Sequence, residues 1–440
     1  MPRLRLDDRP DAVARALRAR GVERAWIAWD GESRSARASL PELDGAAGAL
    51  ARRERDYRRH EAIFLAPAAT SDALFGAFVH SCARGQAQGG LRHLAYASFG
   101  CFLRDGLRLS LGMARKCALA GLWWGGGKGV IARAPDAPEP GRDERRALYR
   151  EYARFVTGLR GCYVTAEDAG TTPLDMAEVA RHTRFATCIP PEVGGSGNPS
   201  AMTALGVVEA IEAALDATGD ATGDAPLRGR AIAMQGAGQV GAAMLERLFE
   251  KDVARVVVAE TSAERCCALR DFFAGRPLEV RCVPPGDEAI LAEPCDVLVP
   301  NALGGVLHAK TIPQVRARIV CGAANNPLED DVADAEALHA RGIVWVPDFV
   351  ANRMGIVACC DEQAGSLPRD PAVLAHLDRG NADSIYRTVR RILERAARAD
   401  VSPVHAAHAL ADERILEPHP IHGDRARRIV ASLLAERGPR

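Results

Sequence analysis

Residues 231–260 read AIAMQGAGQVGAAMLERLFEKDVARVVVAE, and the fold follows from how that stretch divides. AIAMQ (231–235) is a short apolar run that ends at a glycine, the mark of a buried strand. Gly236-x-Gly238-x-x-Gly241 follows at once and opens an apolar-periodic helix over 241–251. A second apolar run, RVVVAE (255–260), ends on Glu260, 19 residues beyond Gly241. Strand, glycine turn, helix, strand and terminal acid in that order make a dinucleotide-binding unit. The first glycine forms the turn, the second lets the backbone close on a pyrophosphate, and the third lets helix and strand pack. The helix N-terminus offers unpaired N–H groups to the pyrophosphate. Glu260 is placed to accept from a ribose hydroxyl and to repel a 2′-phosphate, which favours NAD over NADP.

Outward from this core the rhythm continues. DVLVP (296–300), RIVCG (318–322) and IVWVPD (343–348) read as further strands, and 202–217 as a long apolar helix. The chain is therefore α/β, with a doubly wound parallel sheet in its second half. IPPEVGGSGNPS (189–200) is the candidate boundary or hinge. Before it, AWIAWD (25–30), AIFLA (62–66) and FGAFVH (75–80) read as strands, and 101–120 and 144–158 as amphipathic helices. Residues 11–20 and 41–55 also look helical, as do 382–399 and 404–415 near the C-terminus.

The 440 residues, 48% apolar, are enough for more than one core. With 57 basic and 57 acidic side chains cancelling, neither nucleic acid nor an anionic membrane is expected as a partner. No run is long and apolar enough to span a bilayer, and MPRLRLDDRP at the N-terminus lacks the core of a signal peptide, so a cytoplasmic protein is expected. The twelve cysteines have the spacing of neither a disulfide framework nor a zinc site, and are read as reduced, with no metal. Only four of the 57 basic residues are lysines: Lys116, Lys128, Lys251 and Lys310. Where arginine is the default cation, a retained lysine points to a need for an amine that can lose its proton. Lys251 and Lys310 stand in ordinary surface-like contexts.

Lys116 and Lys128 sit in a second constellation: Gly89-Gly90-x-Arg92, Lys116, Gly125-Gly126-Gly127-Lys128-Gly129, then Thr165-Ala166-Glu167-Asp168. P-loop spacing and its Ser/Thr are absent. The alternative is a glycine floor for a small substrate, with one lysine pairing a carboxylate and the other, depressed by burial and a neighbouring cation, acting as a base. Asp168 would supply a carboxylate for proton transfer.

The segments QGGLRHLAYAS (88–98), LRLSLGMARKCALAGLWWGGGKGVI (107–131), YVTAEDAGTTPLDM (163–176), SGNPSAMTALGV (196–207), MQGAGQVG (234–241), CDVLVPNALGGVLHAKTIPQ (295–314), GAANNPLED (322–330), PDFVAN (347–352) and ALADERI (409–415) carry a resemblance. Together they resemble the glutamate/leucine/phenylalanine/valine dehydrogenase family, and more closely its leucine and phenylalanine branch. The resemblance implies NAD-dependent oxidative deamination of an apolar or aromatic L-amino acid to its 2-oxo acid and ammonia, and the reverse, in a homo-oligomer. By matched position, Lys128 is the catalytic lysine and Asp168 the proton-exchanging carboxylate. Lys116 holds the substrate α-carboxylate, and Gly89 and Gly90 line the substrate site. Gln88, Ala166, Ile356 and Cys359 fall on side-chain pocket positions. Thr203, Asn301 and Asn325 fall on positions that contact the nicotinamide end, beside Gly236, Gly238, Gly241 and Glu260. The implied architecture is a substrate-binding α/β domain (60–200) and a Rossmann domain (201–352) with a cleft between them. Helices over 353–440 pack back on the first domain, and 1–59 is an extension of unknown role.

Three features depart from the family pattern. Arg353 and Met354 replace small residues, Gln88 stands where an apolar residue or a lysine is usual, and Trp123-Trp124 precede the triple glycine. Two rivals follow: a glutamate dehydrogenase, disfavoured because neutral Gln88 cannot pair a second carboxylate, and a non-catalytic amino-acid or NAD sensor blocked by Arg353 and Met354.

Overall fold

The computed structural model describes residues 3–52, 56–219, 225–302, 304–360, 362, 365, 367 and 369–436. The chain forms two units: Met1–Asn198 with Cys359–Ser366 and Glu413–Arg440, and Pro199–Ala358 with Leu367–Asp412.

The first unit runs α1 (Pro10–Ala19), β1 (Ala25–Asp30), β2 (Ser35–Ala38), α2 (Asp44–Ala51), β3 (Ala62–Pro67), β4 (Leu74–Ser81), β5 (Ala87–Ala95), α3 (Phe99–Leu119), β6 (Gly125–Arg133), α4 (Arg142–Gly158), β7 (Tyr163–Glu167) and α5 (Pro173–Ala180). Among the described residues its sheet has the order β2-β1-β3-β4-β6-β5-β7. β5 runs parallel to β6 and β7, and the other pairs are antiparallel. Alternation along the strands splits the core in two. Ile63, Phe78, Val130 and Ala132 pack with Val13, Leu17, Phe102 and Leu107 of α1 and α3. Phe64, Phe75, Ile131 and Tyr163 pack on the other face with Tyr149 and Tyr152 of α4. The described part of residues 1–59 belongs to this body: β1 pairs β3 with Ile27 opposite Ile63, and Val13 and Leu17 are buried on the same sheet.

β6 was not legible as a strand, because glycine lowers β-propensity. Its glycines instead answer to packing on both faces. A Cβ at Gly126 would overlap the backbone of α3 at Ser110 and Ala114, and one at Gly127 would stand 2.8 Å from the Tyr163 ring. The run is thus a central strand pressed between a helix and tyrosines, not a phosphate loop.

The second unit contains α6 (Ser200–Ala217), β8 (Ala231–Gln235), α7 (Gln239–Glu250), β9 (Arg255–Glu260), α8 (Ala263–Phe272), β10 (Leu278–Cys282), β11 (Val297–Pro300), β12 (Ile319–Val320), α9 (Ala333–Ala340), β13 (Val344–Trp345), α10 (Asp348–Ala351), α11 (Met354–Cys359, ending in the first unit), α12 (Pro371–Ala375), α13 (Ile385–Ala399) and most of α14 (Pro403–Ile415). α15 (Arg425–Ala435) belongs to the first unit. The sheet is all parallel, in the order β10-β9-β8-β11-β12-β13, which is the doubly wound arrangement with β8 and β11 at the centre.

The C-terminal region, expected to pack back on the first domain as a block, divides between the units. α13 stays in the second unit because its apolar stripe (Ile385, Val389, Ile392, Ala396) is buried there. Gly206 of α6 permits the fit, since a Cβ would come 2.7 Å from both Ile385 and Met354. Arg353 is fully buried beside it, its Nη1 donating to Thr388 Oγ1 at 3.2 Å and its Nη2 to the Asp383 carbonyl. The two departures that suggested a blocked site are thus parts of a helix-packing joint. In the first unit the Glu362 carboxylate accepts from the backbone N–H groups of Cys188 (2.9 Å), Ile189 (3.2 Å) and Ser196 (2.8 Å), stapling the proline- and glycine-rich segment read as a hinge. Among the described residues no helix is long and apolar enough to cross a membrane.

Candidate active site

Lys128 lies on the α3-facing side of β6, in alternation with Val130, and is 4% exposed. Its Nζ donates to Asp168 Oδ2. Asp168 directly follows β7, in a turn closed by Thr171, whose N–H donates to the Asp168 carbonyl at 2.9 Å while its Oγ1 accepts from the Asp168 N–H at 2.8 Å. Gly90 on the neighbouring strand makes room, because a Cβ there would stand 2.7 Å from Asp168 Cβ.

Arg92, two residues along β5 from Gly90, places Nε 3.5 Å from the same Asp168 oxygen. Its Nη1 donates to both oxygens of Asp105 on α3, at 3.0 and 3.1 Å. Tyr96 donates to Asp105 at 2.6 Å. Burial, then the charge of Arg92 and more weakly that of Lys116, push the Lys128 ammonium well below the ordinary lysine range, against a pull from Asp105 that is smaller than that of Arg92. The expected neighbouring cation is therefore present twice: as Lys116, in the last turn of α3, and as Arg92. Arg92 and Asp105 had no assigned role in the sequence. The only hint was that Arg92 alternates with Gly90 on one strand, and the abundance of arginine hid it.

Gln88 and Ala166 occupy neighbouring strands, Gln88 opposite Val164 and Ala166 opposite Gly90. Gln88 is fully buried and donates to Thr187 Oγ1 at 3.1 Å. Gly89 serves strand contact, since a Cβ there would overlap the Gly127 carbonyl. Cys359 is buried against Cys188, and its thiol is pushed well up by that neighbour and by burial. Ile356 is buried on α11 within the second unit.

In the second unit, Gly236 has φ +82°, and a Cβ there would stand 2.9 Å from Ala302. A Cβ on Gly241 would come 2.9 Å from the Gly236 carbonyl, so helix α7 sits close to β8. Gly238 is the N-cap of α7 with no side chain capping it and open space above its Cα. Open space and a positive helix end fit a pyrophosphate. Glu260 Oε2 accepts from Ala237 N–H at 3.0 Å, and Oε1 from the N–H groups of Thr261 (2.9 Å) and Ser262 (3.0 Å). Burial raises the Glu260 carboxyl, but these N–H groups and Arg265, 3.6 Å away, outweigh it and hold it below its ordinary value. Asn301 Oδ1 accepts from Ala323 N–H at 2.8 Å; Asn352 Nδ2 donates to Ala323 O (3.0 Å) and Asn325 Oδ1 (2.9 Å). Thr203 hydrogen-bonds Pro199 O at 3.0 Å, and a Cβ on Gly355 would come 2.9 Å from its hydroxyl. Asn301 and Asn325 are thus linked through the backbone of Ala323 and the Asn352 amide, a link that only the fold reveals. Among the described residues no cluster of His, Cys, Asp and Glu could hold a metal.

Two family models match the sequence: one described as Glu/Leu/Phe/Val dehydrogenase, dimerisation domain, over residues 74–185, and one described as Glutamate/Leucine/Phenylalanine/Valine dehydrogenase over 263–423. Leucine dehydrogenase of Geobacillus stearothermophilus is 36% identical over 338 residues, 77% of this chain and 85% of that one. Valine dehydrogenase of Streptomyces coelicolor is 37% identical over 372 residues, covering 83% of this chain and 94% of its own. The crystal structure of L-tryptophan dehydrogenase from Nostoc punctiforme is similar with a TM-score of 0.61 at 31% identity, over 78% of this chain and 92% of that chain.

Proposed function

Because the chain belongs to the glutamate/leucine/phenylalanine/valine dehydrogenase family, we propose that it deaminates an apolar or aromatic L-amino acid to the 2-oxo acid and ammonia, reversibly, with NAD. It is an amino-acid dehydrogenase with a nicotinamide cofactor. The observation that carries the proposal is the buried Lys128 on Asp168, ringed by Arg92 and Lys116.

In this reading Lys116 holds the substrate α-carboxylate, and Asp168 takes a proton from the amino group. A bound NAD would supply the acceptor for the hydride that the α-carbon loses, leaving an imine. Water then attacks the resulting imine while Lys128 Nζ takes the proton, and Asp168 returns a proton to the leaving amine. Their direct contact gives the two groups a route for proton exchange. Thr203, Asn301 and Asn325 would meet the nicotinamide end, and Gly236, Gly238 and Gly241 the pyrophosphate. The neutral Gln88 and small Ala166 favour an uncharged side chain, and by matched position Ile356 and Cys359 are proposed as substrate-contacting residues. We read the enzyme as a cytoplasmic homo-oligomer acting on small molecules, with neither nucleic acid nor membrane as partner. The description of the first matching family model as a dimerisation domain supports the oligomer.

The test is NADH or NADPH consumption with a panel of 2-oxo acids and ammonia. Branched-chain or aromatic 2-oxo acids with NADH should give the highest kcat/KM. A maximum at 2-oxoglutarate would sink the substrate reading. Equal rates with NADPH would sink the cofactor reading. Glu260→Ser should narrow the NADH preference by about tenfold or more, the weight of one charge-assisted interaction.

Arg92 gives a pH prediction. A cation beside Lys128 disfavours its protonated form, so removing that cation raises the pKa and the base is lost at higher pH. Arg92→Gln should therefore move the acid limb of the kcat profile for deamination to higher pH. An unmoved limb would mean that Arg92 does not act on the base.

A further inference from the structure

Three features converge at the end of β9. β10 pairs with β9 so that Cys282 lies opposite Glu260. The Glu260 carbonyl accepts from Val283 N–H at 3.0 Å and also from Cys266 Sγ at 3.5 Å. Cys266 is in the first turn of α8, and Arg270 of that helix donates to the Val280 carbonyl at 2.7 Å, fastening α8 along β10. The buried Cys266 thus meets the carbonyl of the residue paired with the exposed Cys282, and the two thiols interact. The mechanism proposed above uses neither.

We propose that Cys266 and Cys282 are a modification site: hydrogen peroxide joins them in a reversible disulfide that weakens dinucleotide binding at Glu260. The second half of this rests on the dinucleotide reading above. The exposed Cys282 is the sulfur that an oxidant reaches. Its thiolate attacks one peroxide oxygen and the O–O bond breaks, giving a sulfenic acid and hydroxide. Cys266 then attacks the Cys282 sulfur. The S–S bond forms, the S–O bond breaks, and the Cys266 thiol proton leaves with that oxygen as water. The two sulfurs lose two electrons in total, and the peroxide becomes two waters. Burial and the neighbouring Cys282 push the Cys266 thiol up to about 11, so it keeps its proton and is the resolving partner.

The consequence reaches Glu260 through two changes. A disulfide sulfur has no proton to donate, so the Glu260 carbonyl keeps only Val283. An S–S bond of about 2 Å also draws the start of α8 toward β10. That shift moves Ser262, the N-cap of α8, whose N–H holds the Glu260 carboxylate together with that of Thr261.

The full-length protein is treated with hydrogen peroxide, blocked with N-ethylmaleimide, and digested without reductant. A disulfide-linked pair of the peptides beginning at Cys266 and Cys282 is expected, lost in Cys282→Ser and after dithiothreitol. It should persist in Cys267→Ser and Cys295→Ser, which excludes the other cysteine on each peptide. NADH binding, read by fluorescence, should weaken by about tenfold on oxidation, the weight of one charge-assisted hydrogen bond. It should recover with dithiothreitol and stay constant in Cys282→Ser. If the linked peptides do not form, or pair through Cys267 or Cys295, the site is wrong. If they form and NADH affinity is unchanged, the link to Glu260 is wrong. Should the reduced protein fail to bind NADH at all, the dinucleotide reading has failed, while the peptide map still decides the disulfide.

Discussion

Lys128→Arg is expected to fold, to bind NADH, and to lose kcat by about a hundredfold or more, at least about 2.7 kcal/mol of barrier. The amine is buried at 4% exposure with Arg92 and Lys116 as cationic neighbours, and these depress a lysine to where it can accept a proton. Guanidinium under the same pressure stays protonated. It would keep the pairing with Asp168 and lose the base. Lys116→Arg separates the two roles, because a cation that only holds a carboxylate should lose mainly in KM. Stopped-flow NADH formation across pH measures both. If Lys128→Arg retains more than about a tenth of kcat, a deficit below about 1.4 kcal/mol, the residue is an electrostatic clamp and the base lies elsewhere.

The second large effect is structural. Gly126→Ala puts a methyl group into the α3 backbone at Ser110 and Ala114, where no flexible side chain can yield. Overpacking a filled core costs about 1–3 kcal/mol, and more where backbone must move. Here α3 would have to move, carrying Asp105 and Lys116 away from β6 and Lys128. Gly126→Ala should therefore lower the melting temperature of the first unit by several degrees and abolish turnover, while NADH binding by the second unit persists. A fully active variant melting within about 1 °C of wild type would show that β6 and α3 are looser than this packing requires.

Gly126 also marks where sequence reading stopped. The dinucleotide half was legible because its signals are local. Gly236, Gly238 and Gly241 act within one turn, and Glu260 ends the next strand, so composition and spacing carry the physics. Lys116 and Lys128 stood out for a different reason: in a chain of arginines, two lysines beside a glycine run are conspicuous. A glycine run by itself carries no strand signal, and what makes residues 125–129 a strand is supplied by α3, Tyr152 and Tyr163, distant in sequence. Arg92 acquires a role only when β5 and β7 pair and bring Asp168 beside it. Residues 1–59 carry ordinary strand and helix patterns in sequence, and only the pairing of β1 with β3 makes β1 and β2 part of the sheet. The C-terminal helices are alike in pattern, but the apolar stripe of α13, with Gly206 and Met354 beneath it, keeps that helix in the second unit. The sequence by itself determined the elements and the chemistry whose partners lie within a few residues. The tertiary structure decided which cations surround Lys128, which strands the glycines serve and to which unit each helix belongs, because close packing and charge act through space between residues far apart along the chain.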